Sequence, residues 1–174
     1  MPTSCSIALC TSAAKLQQTN TNPINNTINM KTHINTITVT VDIDNLLKSV
    51  YAESAWLKAS NMIKGTDSPL LNPDRRAMAM MLLGEAYADL VACLNAYMCS
   101  NNADTLATDG MLEMQIKYTS RQSDNPVIGL STMVAQTLAS RILALAYPAL
   151  PNYADRYKRH RRALLTTLAR AEQA

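Results

Sequence analysis

Residues 72–99 read NPDRRAMAMMLLGEAYADLVACLNAYMC, and this stretch sets the class of the fold. Asn72 is a capping residue, and Pro73 stands at the first helical position, where its missing N–H costs nothing. Asp74 adds a carboxylate to the first turn, where the helix dipole favours it. Beyond that start, Met78, Met81, Leu82, Ala86, Leu90, Cys93, Leu94 and Tyr97 recur at helical spacing. The spacing predicts a helix running to about Cys99, with an apolar surface wide enough to make it the central helix of the domain.

Upstream of this helix, Ile37, Val39, Val41 and Ile43 alternate with Thr and Asp over Ile34 to Ile43, the pattern of a strand with one buried face. A helix is predicted next, from Asp44 as N-cap to about Ile63, with Leu46, Leu47, Val50, Ser54, Leu57 and Asn61 at helical spacing and Gly65 as its stop. Downstream, Asn101 to Gly110 reads as a loop, and Leu112, Met114, Ile116 and Tyr118 share one face of a second strand. Asn125-Pro126 opens a third helix over about Val127 to Tyr147, with Leu130, Val134, Leu138, Ile142 and Leu145 inward. Pro148 and Pro151 make a corner. The fourth helix, about Asn152 to Ala171, turns Tyr153, Tyr157, Leu164, Leu165 and Leu168 inward. The expected fold is mostly α: a four-helix bundle-like domain over 34–174 with a small two-stranded β element, in the order β-α-α-β-α-α. Two strands alone are marginal, so they must lie on the helices or pair with another chain.

Residues 1–33 are rich in Ser, Thr and Asn, and Lys15 and Lys31 are their only charged side chains apart from His33. They read either as a flexible arm or as an extension upstream of a start at Met30. The only apolar run near the N-terminus is Ile7-Ala8-Leu9, too short for a signal peptide, and a bulky Leu9 before Cys10 argues against a lipoprotein site. No run of about 18 apolar residues is found, so no membrane span or membrane partner is expected.

Composition narrows the core further. There is no Phe and one Trp but ten Met, so the core is aliphatic and thioether-rich, which suits packed helices. Cys5, Cys10, Cys93 and Cys99 match no zinc or redox spacing, and free thiols in a reducing cytosol are expected. Net charge is only +3, yet seven basic residues fall after position 140, against Asp155 and Glu172.

Groups suited to catalysis are sparse. His33 lies in the polar arm, and His160 sits among cations that disfavour its protonation. No His-Glu-x-x-His, no glycine-rich phosphate loop and no cofactor motif is present. Glu85 and Asp89 lie one turn apart, and with Glu53 they could hold a metal. The plainer expectation is that they face solvent or pair with Arg141 or Arg121. The methionines at 78, 80, 81, 111 and 114 are expected to fill the core rather than bind a soft metal. The most specific feature is the basic run Arg156, Lys158, Arg159, Arg161 and Arg162, which can neutralise phosphates or an acidic protein surface. The alternative is a solvated helix face. Nothing nearby reads bases, so sequence-specific recognition is not supported.

The element order and several phrases resemble the head–tail connector, or neck, proteins of tailed bacteriophages, especially those encoded by phages or prophages of Bacteroidales hosts. The phrases are Leu46-Leu47-x-x-Val50-Tyr51-x-x-Ser54-Ala55-Trp56, Asn72-Pro73-Asp74 opening a helix with Leu82-Leu83-Gly84-Glu85-Ala86-Tyr87, the strand Leu112 to Tyr118 followed by Ser123-Asp124-Asn125-Pro126, and a last helix with Tyr157 and the basic run. The resemblance spans roughly 34–172 and lies in pattern; the long arm and the lack of Phe depart from it. It implies a non-enzymatic virion structural protein, assembled in the host cytoplasm as a homo-oligomeric ring at the portal vertex. Its implied partners are the portal, neighbouring neck or tail proteins and non-specifically contacted DNA. The strand carrying Ile37, Val39 and Val41 could then extend a neighbour's sheet, and the basic run could face DNA. The competing expectations are a helical DNA-binding regulator using helix 152–171 and a helical-bundle enzyme using Glu85, Asp89 and Glu53.

Overall fold

The computed structural model describes residues 33–63, 71–101, 110–120 and 129–173. Strand β1 (His33–Asp42) leads into helix α1 (Ile43–Ala59). A 3-10 turn, Pro73–Arg75, opens α2 (Arg76–Leu94), and strands β2 (Met98–Asn101) and β3 (Met111–Ser120) follow. Helices α3 (Leu130–Ala146) and α4 (Pro151–Gln173) complete the chain. The domain is mostly α, with four helices and a small three-stranded antiparallel sheet, in the order β-α-α-β-β-α-α.

The third strand corrects the expected two-stranded element. The predicted helix to Cys99 stops at Leu94, where Tyr97 N–H turns back to Leu94 C=O at 2.8 Å. Lys117 N–H then donates to Tyr97 C=O at 2.7 Å and draws Met98–Asn101 onto β3. Four residues with no apolar alternation carry no strand signal of their own, so the pairing comes from β3.

The strand order is β1-β3-β2. Ile37, Val39 and Val41 of β1 lie opposite Ile116, Met114 and Leu112 of β3. All of these but the half-buried Ile37 are buried, and their face is covered by α3 and α4. The other face carries exposed Thr36, Thr38 and Thr40 beside exposed Lys117, Gln115 and Glu113. A strict period of two fixes this register, because a one-residue slip would send the apolar set into water.

Helix starts and stops follow capping chemistry. The N-cap of α1 is Asp42, not Asp44: its Oδ1 accepts Asn45 N–H at 3.0 Å and its Oδ2 accepts Asn45 Nδ2 at 2.7 Å. Asp44, in the first turn, pairs with Arg76 at 2.7 Å. The expected run to Ile63 is shortened because Asn61 takes a left-handed conformation (φ 53°). Asn61 N–H reaches Lys58 C=O and Met62 N–H reaches Leu57 C=O, a Schellman stop supplied by Asn; Gly65 lies outside the described residues. Helix α3 begins at Leu130 rather than Val127, since Gly129 at φ 81° cannot continue a right-handed helix.

The central helix is α3, a second correction. Nine of its 17 residues are buried, against seven of 19 in α2. It packs on α1, α2, α4 and β1, whereas α2 leaves Met81 in solvent. Polar residues on α3 can be buried because Thr137 and Ser140 return their hydroxyls to Met133 and Gln136 C=O, each at 2.7 Å. Where α1 meets the end of α3, buried Ser54 Oγ and Tyr147 Oη lie 2.5 Å apart, and Leu71 N–H donates to Ser54 Oγ at 2.9 Å. This satisfies a loop N–H inside the core.

Within Pro73–Leu94 the chain is long and apolar enough by composition to cross a membrane, its most apolar 18-residue window having a mean hydropathy of 1.5. Glu85 and Asp89 keep this window from being an unbroken apolar run, but they do not lower its average below what composition alone requires. In this fold Leu82, Leu83, Ala86, Tyr87 and Leu90 are buried, and Asp89 is ion-paired.

Five tyrosines stabilise the neutral ring. Burial raises the hydroxyl pKa of Tyr51, Tyr118 and Tyr157, and pushes Tyr87 up to about 12. Tyr153 is raised by burial first and then by its hydrogen bond to Glu53. An unfolded tyrosine ionises near pH 10, so this contribution to stability is fully present below about pH 10 and is lost as pH rises through the raised folded values, about 12 for Tyr87. In an alkaline titration, absorbance at 295 nm should lag behind free tyrosine and rise together with loss of the far-ultraviolet helix signal. Complete ionisation centred near pH 10 in a chain still helical would contradict these environments.

Candidate interaction surfaces

Helix α4 sorts its cations by angle. At about 100° per residue, Tyr153, Tyr157, Leu164, Leu168 and Ala171 form one stripe, and all are buried. Arg156 flanks that stripe, half-buried, and donates to Glu53 of α1 at 3.1 Å; Tyr153 Oη donates to the same carboxylate at 3.0 Å. Arg156 is therefore part of the α1–α4 contact. Lys158 is exposed and pairs with Asp155 one turn away at 3.3 Å. Arg159, Arg161 and Arg162 are exposed, as is Arg170 further along, and among the described residues no carboxylate pairs with any of them. Arg159, Arg162 and Arg170 fall within about 80° of one another on the outer face, at spacings of three and eight. The predicted run of five thus divides: one anchors the fold, one is locally paired and three remain unneutralised. Arg170, beyond the run, extends their row; three- and four-residue spacing counted onward from Arg159 would have found it.

His160, one turn on from Arg156 along the same flank of α4, rests on α3. Its Nδ1 lies 2.8 Å from Ser140 Oγ and 3.1 Å from Gln136 C=O. Here the ring acts as an interhelical contact. Of the three acids weighed as a possible metal set, Glu53 holds Tyr153 and Arg156, Asp89 pairs with Arg141 at 2.6 Å, and Glu85 is exposed. The structure gives them separate partners instead of a common centre, and Asp89 takes the expected pairing with Arg141. Arg141 also stacks over the Tyr157 ring at 5.1 Å, so one guanidinium ties α2, α3 and α4 together. Among the described residues, no three His, Cys, Asp or Glu side chains gather as metal ligands would. Cys93 is half-buried and Cys99 exposed, both as free thiols; Cys5 and Cys10 lie outside the described residues, as do the expected arm and Arg121.

Beside β1 runs a groove of about 460 Å³. The end of β1 and the first turns of α1 form one wall, Arg156 and His160 the other, and Ala135, Ala139 and Leu143 of α3 the floor. Ile37, Val39 and Val41 do not themselves offer an interaction surface, because their side chains pack on the inner face of the sheet; what β1 presents is its backbone edge.

The fold is mostly α, with four helices and a small three-stranded antiparallel sheet, and among the described residues it exposes a row of unpaired arginines and one unpaired edge of β1. No family profile matches the sequence, and neither a curated protein nor a solved structure matches it at a significant level.

Proposed function

We propose that this chain is a non-enzymatic structural subunit of the head–tail connector, or neck, of a tailed bacteriophage, assembling as a ring at the portal vertex of the virion. The observation that carries the reading is the row Arg159, Arg162 and Arg170. It stands unpaired on a helix that is otherwise fixed in place by Arg156–Glu53, Arg141–Tyr157 and buried tyrosines. A subunit lining a DNA path needs unneutralised charge on a rigid support, with phosphate contacts that ignore sequence. The four helices supply a bundle-like body, and the open edge of β1 offers a neighbour backbone hydrogen bonds.

The same arginine row favours one other reading, a helical DNA-binding regulator. The experiment that separates them is light scattering and negative-stain imaging of the full chain, alone and with a candidate portal. The connector reading expects ring particles or a stable complex with the portal. A chain that forms neither, even when concentrated, overturns it.

A further inference from the structure

We propose that the free edge of β1 pairs with β1 of a second copy of this chain, antiparallel about a two-fold axis at Thr38, joining two three-stranded sheets into one of six strands. The edge is defined by hydrogen-bond parity. Ile43 N–H donates to Gly110 C=O at 2.9 Å, and the β1–β3 register continues from that pair through Val41 with Leu112 to Asn35 with Tyr118. In an antiparallel ladder, residues two apart repeat the same role. The odd-numbered residues of β1 therefore spend their backbone groups on β3, and Ile34, Thr36, Thr38, Thr40 and Asp42 turn theirs away from it. The far side of β3 agrees: odd-numbered Lys117 bonds to Tyr97, next to β2. Among the described residues, no strand lies against the outer edge of β1.

This edge lacks the devices that keep strands apart. Over Ile34–Val41 it has no Pro, no Lys and no acid, and its pairing with β3 carries no bulge, in contrast to the register shift in β2. It is also complementary to itself. A two-fold at Thr38 sets Thr38 against Thr38, Thr36 against Thr40 and the only carboxylate, Asp42, against uncharged Ile34. Cross-strand Thr pairs are favourable, and no like charges meet. On the inner face, the second copy's Ile37 and Val39 lie beside Val39 and Ile37 of the first and continue the apolar layer. The groove beside the edge, floored by Ala135, Ala139 and Leu143, gives the added strand's inward side chains a place to pack. The pairing needs only the edge and does not rest on the connector reading; a subunit entering a cyclic ring would exchange it for a neighbour's contact.

The test is solution mass by light scattering across the micromolar range, for the full chain and for Thr38→Pro and Thr38→Lys. The wild-type mass should be twice the 19.0 kDa of one chain. Thr38→Pro removes an N–H that the single chain does not use, so it should halve the mass and leave the far-ultraviolet spectrum unchanged. Thr38→Lys sets two cations together at the axis and should also halve it, which keeps the test decisive should the proline variant fold poorly. A monomeric wild type overturns the inference. So does a folded Thr38→Lys chain whose mass equals that of the wild type. Binding to a portal is read separately and moves with neither result.

Discussion

Leu138→Ala is expected to lower the unfolding free energy by about 2–5 kcal/mol, the range for truncating a fully buried leucine. Leu138 sits on α3 with Val134 and Ile142 one turn to either side, and all three are essentially inaccessible to solvent. Because α3 packs on three helices and on β1, no single neighbour can move in to close the space without opening another contact. The cost should therefore fall in the upper half of that range. Chemical denaturation followed by circular dichroism measures it, with Lys48→Ala on the exposed face of α1 as the control, expected within about 0.5 kcal/mol of wild type. A loss below about 1 kcal/mol for Leu138→Ala would mean that α3 is not the packing centre.

The second large effect is electrostatic. If Arg159, Arg162 and Arg170 with Lys158 contact phosphates, four neutralised charges give a log–log salt slope near −3.6, so a fourfold rise in salt should weaken duplex binding by about 100-fold. For the isolated subunit, affinity should stay in the weak non-specific range, roughly 10⁻⁴–10⁻⁶ M, with no sequence preference. The triple change Arg159→Glu, Arg162→Glu and Arg170→Glu should abolish that binding while sparing the fold, since none of the three is packed or paired among the described residues. Arg156→Glu should act differently, because it places two carboxylates together at Glu53 and loosens α4 from α1. Fluorescence anisotropy with labelled duplexes at several salt concentrations separates the two. Tight, sequence-selective binding by the free chain would shift the balance to the regulator reading. Binding unaffected by the triple change would remove the arginine row from either account.

The candidate surfaces were only partly legible in the sequence. The cluster 156–162 was visible as a run, and the apolar stripe of α4 could be counted from Tyr153 and Tyr157. Which cations stay free was not visible, because that depends on carboxylates brought from elsewhere: Glu53 lies about a hundred residues away from Arg156 in the chain and meets it only in the folded state. The edge of β1 was foreseen as a possible pairing element, but through Ile37, Val39 and Val41, whose side chains the fold turns inward. Strand order decides which backbone groups remain unpaired, and a single strand's pattern does not contain strand order.

The sequence by itself determined the four helices, the two longer strands and most of their inward residues, Met81 and Asn61 excepted, because local propensity and apolar periodicity agree along those segments. It also held the cap at Asn72, which is local chemistry. The tertiary structure alone decided that α3 and not α2 lies at the centre, that Met98–Asn101 leaves the helix for the sheet, and that α1 ends at Ala59, before the left-handed Asn61. Each of these is a competition between a local preference and a partner distant in sequence or a backbone state outside the periodic pattern. Burial on several neighbours, or a ladder bond such as Lys117 to Tyr97, then outweighs a helix propensity worth only tenths of a kcal/mol per residue.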